Sequence, residues 1–179
     1  MGFRVGQKVV YPNHGVGIIE QIEQKQIGDA ALSFYTLRLA ATNSVVLVPV
    51  ANAKEVGLRA PIKTGECELL FKNLADDFIA PAGDWKNRFK EFSEKMKSGD
   101  IFEVADVLKN LTFLHSQKPL SFREQRMLER ALYLVVSELV AVCRQPECNI
   151  KAQVEDALNK SCAKHERQPA RAIGASAGH

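Results

Sequence analysis

Trp85 is the only tryptophan of this 179-residue chain, and Lys86, Arg88 and Lys90 crowd around it. A flat ring among cations can stack on a base, or wedge between two, while the cations hold phosphates. The same ring opens an apolar series at helical steps, Phe89, Phe92 and Met96, and would serve as well in a core. Residue pattern leaves both readings open. A second basic group, Lys118, Arg123, Arg126 and Arg130, surrounds the start of a later helical stretch. Free backbone N–H groups and the helix dipole favour phosphate at such a place. Glu124 and Glu129 offer the plainer alternative of ion pairs on a solvated face. Four soft ligands, Cys143, Cys148, Cys162 and His165, read C-x4-C-x13-C-x2-H. Zinc takes such a set, though these spacings match its usual ones only loosely. Small buried cysteines on two helices are the alternative.

Catalytic chemistry finds little support. His14 sits in a tight turn without a neighbouring Cys, Ser or carboxylate cluster, and His115 falls at a helix end beside Ser116 and Gln117. No phosphate-binding glycine loop, zinc-protease motif or nucleophile elbow occurs. Gly15-Val16-Gly17 is too short for a dinucleotide loop, and a strand follows it where a helix would be needed. No enzyme, cofactor or small-molecule substrate is expected. Apolar content of 46% and charged content of 25% fit a soluble globular chain. No run approaches the ~18 apolar residues of a membrane span, and Met1–Gln7 lacks the apolar core of a signal peptide. A cytoplasmic protein is expected, and its four cysteines are too few for a disulfide framework. The net charge of +3 does not announce nucleic-acid binding. Residues 1–60 carry six Lys/Arg against four Asp/Glu, and the remainder 18 against 17. Any DNA contact must rest on local placement of charge, which excludes a bulk coating protein.

These residues need elements to hold them. Gly6–Tyr11 reads as a strand, Pro12, Asn13 and Gly15 as a turn, and Gly15 with Gly17 as a bend in the next strand. Two further strands are expected over Leu32–Ala40 and Val45–Val50. The last, Val45-Val46-Leu47-Val48-Pro49-Val50, is apolar on both faces. It is either buried on both sides or an edge strand that takes up a partner's strand, and Pro49 suits an edge because it lacks an N–H. Beyond Pro61, Thr64 and Gly65 the pattern turns helical. A short helix is expected at about 67–78, then one capped by Asp84 and ended by Ser98-Gly99. Asp100 caps the next, with Glu103 at the capping-box position, and Ser121 with Glu124 forms a second box. The helix from Ser121 is apolar on a wide face and is expected to lie at the centre of the bundle. The final helix runs from Asn149 to about Lys164. Strands followed by helices give an α+β chain: 1–60, 61–165, and a low-complexity tail over 166–179 expected to be disordered. The β part is near the lower limit for independent folding, so it is expected to touch the helical part or a partner.

The order of motifs carries a resemblance over roughly residues 1–160. Gly6-Gln7-Lys8-Val9-Val10-Tyr11-Pro12-Asn13-His14-Gly15-Val16-Gly17 resembles the opening signature of the CarD/CdnL family of bacterial RNA polymerase-binding transcription regulators. Val48-Pro49, Asn52–Arg59, Trp85–Lys90, Ser98-Gly99-Asp100 and Leu120-Ser121 with Glu124 and Arg126-Met127-Leu128 continue it. The resemblance implies a Tudor/SH3-like β-barrel that binds the polymerase β subunit by strand pairing through Val46, Leu47, Val48 and Pro49. Lys25 and Arg38 would remain for acidic partner residues. It further implies a helical bundle that contacts promoter DNA at the upstream edge of the bubble and stabilises the open complex, through Trp85, Lys86, Arg88, Lys90, Arg123 and Arg126. This chain departs from some relatives in carrying Leu47 and Gln125 where they carry basic residues. It is expected to be a monomer when free. The alternatives are an adaptor whose bundle binds another protein, and a zinc-dependent nucleic-acid module built on Cys143, Cys148, Cys162 and His165.

Overall fold

A computed structural model describes residues 2–80 and 84–167. Strands β1 (Lys8–Tyr11), β2 (Gly15–Ile27), β3 (Ala30–Leu39) and β4 (Val45–Pro49) form one antiparallel sheet in sequence order. The sheet curls into the half-barrel of a Tudor/SH3-like domain, and five helices follow it, giving the expected α+β architecture. Asn13 and Gly15, both at positive φ, turn β1 into β2. The irregularity in β2 falls later than expected, between Ile19 and Gln21. Gly17 has another task. A Cβ there would lie 2.7 Å from a Leu37 methyl and 2.9 Å from the Arg38 carbonyl oxygen, so only glycine lets β2 lie this close to β3. Val9, Ile19, Tyr35, Leu37, Leu39 and Val48 fill the inner face, with Ala53 and Leu58 closing it. The Phe3 N–H donates to the Tyr35 hydroxyl at 3.0 Å, which pins the N-terminal segment across one end.

The helices are α1 (Thr64–Ala75), α2 (Trp85–Lys97), α3 (Ile101–Gln117), α4 (Phe122–Cys143) and α5 (Glu147–Glu166). Helix α1 starts and stops three residues earlier than its expected bounds. The Lys63 N–H donates to Glu66 at 2.7 Å, which starts the helix without a Ser, Thr or Asp cap. At the other end the Asp76 and Asp77 carboxylates accept from the next backbone N–H, at 2.9 and 2.8 Å, and draw the chain out of the helix. Asp84 and Asp100 cap α2 and α3 by accepting from Asn87 and Phe102. Glu103 does not close a box and lies instead 3.8 Å from Lys95. Ser121 and Glu124 do form a reciprocal box at α4. The most enclosed helix is α3, not α4, with eight of its 17 residues buried against seven of 22. Helix α4 gives up that position because part of its wide apolar face packs on the barrel. The segment expected to form a tail lies, from residue 168 on, outside the described residues.

The β part does touch the helical part, and the joint is polar. Arg59 closes the outer edge of β1 through backbone bonds with Val10, at 2.7 and 3.2 Å. Its guanidinium grips the Glu138 carboxylate of α4 in a two-pronged pair at 2.6 and 2.9 Å. Glu138 is only 1% exposed and accepts a third bond from the Ile62 N–H at 2.9 Å. Arg59 also donates to the Gly99 carbonyl in the α2–α3 turn, at 2.5 Å. Gly15 lies against Tyr133 and Leu134, and Arg130 donates to the Asn13 carbonyl at 2.8 Å. One arginine thus ties the sheet edge, an interhelical turn and a buried carboxylate together. Exchanging such a buried pair for well-packed apolar residues is often neutral, whereas removing one partner strands a buried charge.

Candidate functional site

At one end of the bundle the first turns of α2 and α4 stand side by side. Arg88, in the second turn of α2, donates to Glu124, in the first turn of α4, at 3.2 Å. Glu124 therefore caps its own helix with one oxygen and holds the neighbouring helix with the other, which accounts for its burial at 8% exposure. Arg88, expected beside Trp85 as a phosphate contact, is occupied by this pair and acts as a strut.

Trp85 is the first residue of α2 and is 52% exposed. The stripe it begins enters the core only at Phe92 and Met96, 2% and 4% exposed. Lys86 and Lys90 on α2 and Arg123 and Arg126 on α4 are exposed. No ion pair holds them among the described residues. Beside them, Phe122 opens α4 with 74% of its surface exposed, and the Arg126 guanidinium lies 5.3 Å from its ring centre. A groove of about 510 Å³ runs between the two helices from this end, with Phe89, Met96, Phe122 and Met127 for its apolar walls. Its charged lining is Lys97, Arg123, Arg126 and Arg130, without a carboxylate.

The second candidate surface is the outer edge of β4. Leu39 N–H donates to the Ser44 carbonyl, so in the alternating antiparallel ladder Val46 and Val48 bond to Leu37 and Tyr35. The N–H and C=O groups of Val45 and Leu47, and the C=O of Pro49, point away from the sheet. Among the described residues no strand pairs with them. Side chains divide the same way. Val48 is 2% exposed and Val46 is partly buried on the core side, whereas Val45 and Leu47 are 49% and 44% exposed. The strand expected to be apolar on both faces is therefore an edge strand with one buried face. What it offers outward is Val45, Leu47 and Pro49. Lys25 lies opposite Leu32 in the β2–β3 hairpin, exposed, with Glu23 at 3.7 Å. Arg38 differs from expectation: it pairs with Glu20 and also donates to the Asn43 carbonyl at 2.9 Å. That pair lies at the surface, with the two side chains 39% and 36% exposed.

The four possible zinc ligands do not converge. Cys143 lies beside Cys67, whose thiol is pushed up to about 12 by burial and by Cys143 and nearby carboxylates. Cys148 is exposed at the start of α5, beside Asn149. His165 stacks on Phe78 with centroids 4.1 Å apart, and its Nδ1 lies 2.8 Å from Asp77. Among the described residues no group of three or more His, Cys, Asp or Glu is placed to hold a metal. His14 rests against the Tyr11 ring. A larger groove of about 800 Å³ separates the outer face of β2 and β3 from α4 and α5. Its walls mix Lys8, Lys151, Glu129 and Glu147 with apolar residues. Among the described residues no helix is long and apolar enough to cross a membrane.

Sequence reasoning missed three residues that shape these surfaces: Phe122, Arg59 and Glu138. Glu138 had a visible signal, a carboxylate inside the apolar run Leu134–Val140. Phe122 had a fainter one, an aromatic directly after a capping serine and next to basic residues.

Comparison with known proteins agrees over both halves. Residues 3–62 match the CarD-like/TRCF RID domain and residues 69–155 match the CarD C-terminal domain. The chain is similar to the Bacillus subtilis (strain 168) protein named "Putative transcription factor YdeB", with 31% identity over 153 residues. That alignment covers 84% of this chain and 98% of the relative.

Proposed function

The chain belongs to the CarD family and is a transcription regulator; from that premise we propose that it docks on the RNA polymerase β subunit through β4 and props open the upstream edge of the promoter bubble with Trp85. In this reading residues 1–60 make the polymerase contact and residues 61–165 the DNA contact. The open edge of β4 supplies main-chain donors and acceptors for an added strand, and Val45 and Leu47 supply its side-chain contacts. Lys25, exposed on the β2–β3 hairpin two strands from that edge, is a further cation for an acidic partner group. At the far end Trp85 provides the flat wedge, and Lys86, Lys90, Arg123 and Arg126 provide the phosphate contacts. Arg88 holds α2 and α4 in register so that the ring and the cations act on one stretch of DNA.

The mechanism is one of tethering. Docking on polymerase raises the effective concentration of promoter DNA at the bundle, so four or so unpaired cations and one ring suffice without a strongly basic surface. The Arg59–Glu138 joint makes the tether stiff and carries the position of the docked barrel through to Trp85. A base step parted by the ring recloses more slowly because the stacked ring must first be expelled.

The observation that carries this reading is the exposure of Trp85 at the start of a helix whose apolar stripe is buried from Phe92 on. The test is the lifetime of a promoter open complex with wild-type protein and with Trp85→Ala. Stacking of ~1–3 kcal/mol per base predicts a loss of roughly five- to 150-fold in the added lifetime, with polymerase affinity unchanged. An unchanged lifetime at full polymerase occupancy would instead favour an adaptor whose bundle binds protein.

A further inference from the structure

We propose that the groove between α2 and α4 is a channel for a single strand of melted DNA, with one base stacked on Phe122 and phosphates held by Arg123 and Arg126. The proposal rests on the reading that the helical half meets melted promoter DNA, and it adds a second aromatic contact and a path for the strand.

Four observations converge on it. Phe122 is 74% exposed, more than Trp85 or any other Phe or Tyr among the described residues. The Ser121–Glu124 box fixes the turn it sits on, and Arg88 fixes that turn against α2. The Arg126 guanidinium at 5.3 Å already forms a cation–aromatic pair with the ring, the combination on which unpaired bases stack. The groove begins next to the proposed wedge: Phe89, which lines it, lies one helical turn after Trp85 on the same face of α2. A strand parted at Trp85 is thus delivered to it. Finally, the charged lining is wholly cationic. A volume of about 510 Å³ is that of a drug-sized ligand, enough for a nucleotide or two and far short of a duplex. An amphipathic peptide helix would need a longer run of anchor pockets than one exposed ring provides.

The test uses the full-length protein and a fluorescent oligothymidylate, titrated by anisotropy across a salt series, with a hairpin duplex as control. Wild type should prefer the single strand. Phe122→Ala should weaken binding about tenfold with the salt slope unchanged, and Phe122→Tyr should restore most of it. Arg126→Gln should lower the slope by about 0.7, the value for one phosphate contact to single-stranded DNA. An oligothymidylate carrying 5-iodouracil should crosslink to Phe122 on irradiation. Equal affinity of Phe122→Ala and wild type, a crosslink that maps elsewhere, or no preference for single strands would overturn the proposal. So would exclusion of oligothymidylate together with tight binding of a Glu- and Leu-rich peptide that protects Phe122 from modification. The two readings fail separately: the oligothymidylate series needs no polymerase, and the Trp85→Ala lifetime needs no groove.

Discussion

Removing Arg59 should cost more than removing its partner Glu138, although the two share the same hydrogen bonds. Arg59→Ala leaves a carboxylate that is 1% exposed with one donor, the Ile62 N–H, in place of three. Breaking one side of a buried, paired charge costs ~3–5 kcal/mol. Glu138→Ala leaves the guanidinium, which is 28% exposed and keeps the Gly99 and Ala60 carbonyls as acceptors. Its expected cost is ~1.5–3 kcal/mol, that of lost charged hydrogen bonds with hydration remaining to the survivor. The double replacement Arg59→Met with Glu138→Leu removes both charges and should be within ~1 kcal/mol of wild type, as for other buried pairs exchanged for apolar residues. Urea unfolding supplies the energies. Arg59→Ala should lower Tm by about 10 °C, given ~2–4 °C per kcal/mol for a chain of this size. Equal single-mutant costs, both under ~1 kcal/mol, would refute the claim that this pair governs the joint. A functional readout runs beside it: Arg59→Ala should shorten the open-complex lifetime while polymerase affinity holds, because the barrel still docks but no longer fixes Trp85.

Trp85→Ala should change stability by only about half a kcal/mol, as for other exposed sites, and the wild-type ring should emit at long wavelength and respond to promoter complex; a cost near ~3–5 kcal/mol would return the ring to the core. Leu47→Pro removes an N–H that points out of the sheet, so the barrel should keep its circular dichroism and lose polymerase affinity. Val48→Pro removes a ladder bond and a buried side chain, so it should unfold the barrel instead; a folded Leu47→Pro protein with full affinity places the docking surface elsewhere. The Cys67 thiol, buried and pushed up to about 12, stays protonated at neutral and mildly alkaline pH. Iodoacetamide at mildly alkaline pH should therefore modify exposed Cys148 and spare Cys67 until urea unfolds the bundle, and early labelling of Cys67 would contradict its packing.

What could be read from the chain follows the range of the forces involved. Asp84, Asp100 and Ser121 announced their helices because a cap is a hydrogen bond to a residue two or three positions on. Asn13 and Gly15 announced their turn because positive φ is a property of the residue itself. Even local signals failed where two partners compete: Glu103 had the spacing of a box but lies near Lys95, and α1 began on a glutamate bond with no conventional cap. Trp85, with its cations and the apolar β4, could be named as chemistry before it could be placed.

Placement belonged to the tertiary structure. Arg88 and Glu124 are 36 residues apart, Arg38 and Glu20 are 18 apart, and Arg59 and Glu138 are 79 apart. In each case a cation is paired with a carboxylate distant in the chain, and for Arg88 and Arg38 the cation is one that looked ready for a partner molecule. Glu124 and Glu138 are buried where elements meet, Glu20 pairs at the surface, and nothing in the local sequence records those distances. Sequence alone determined the two-part α+β plan, most helix starts, and the residue types able to stack on bases or hold phosphate. The fold decided which of those groups remain unpaired, which edge of β4 is open, and that Phe122 stands beside a groove. Pairing and exposure are set by neighbours in space, and chain order does not encode them.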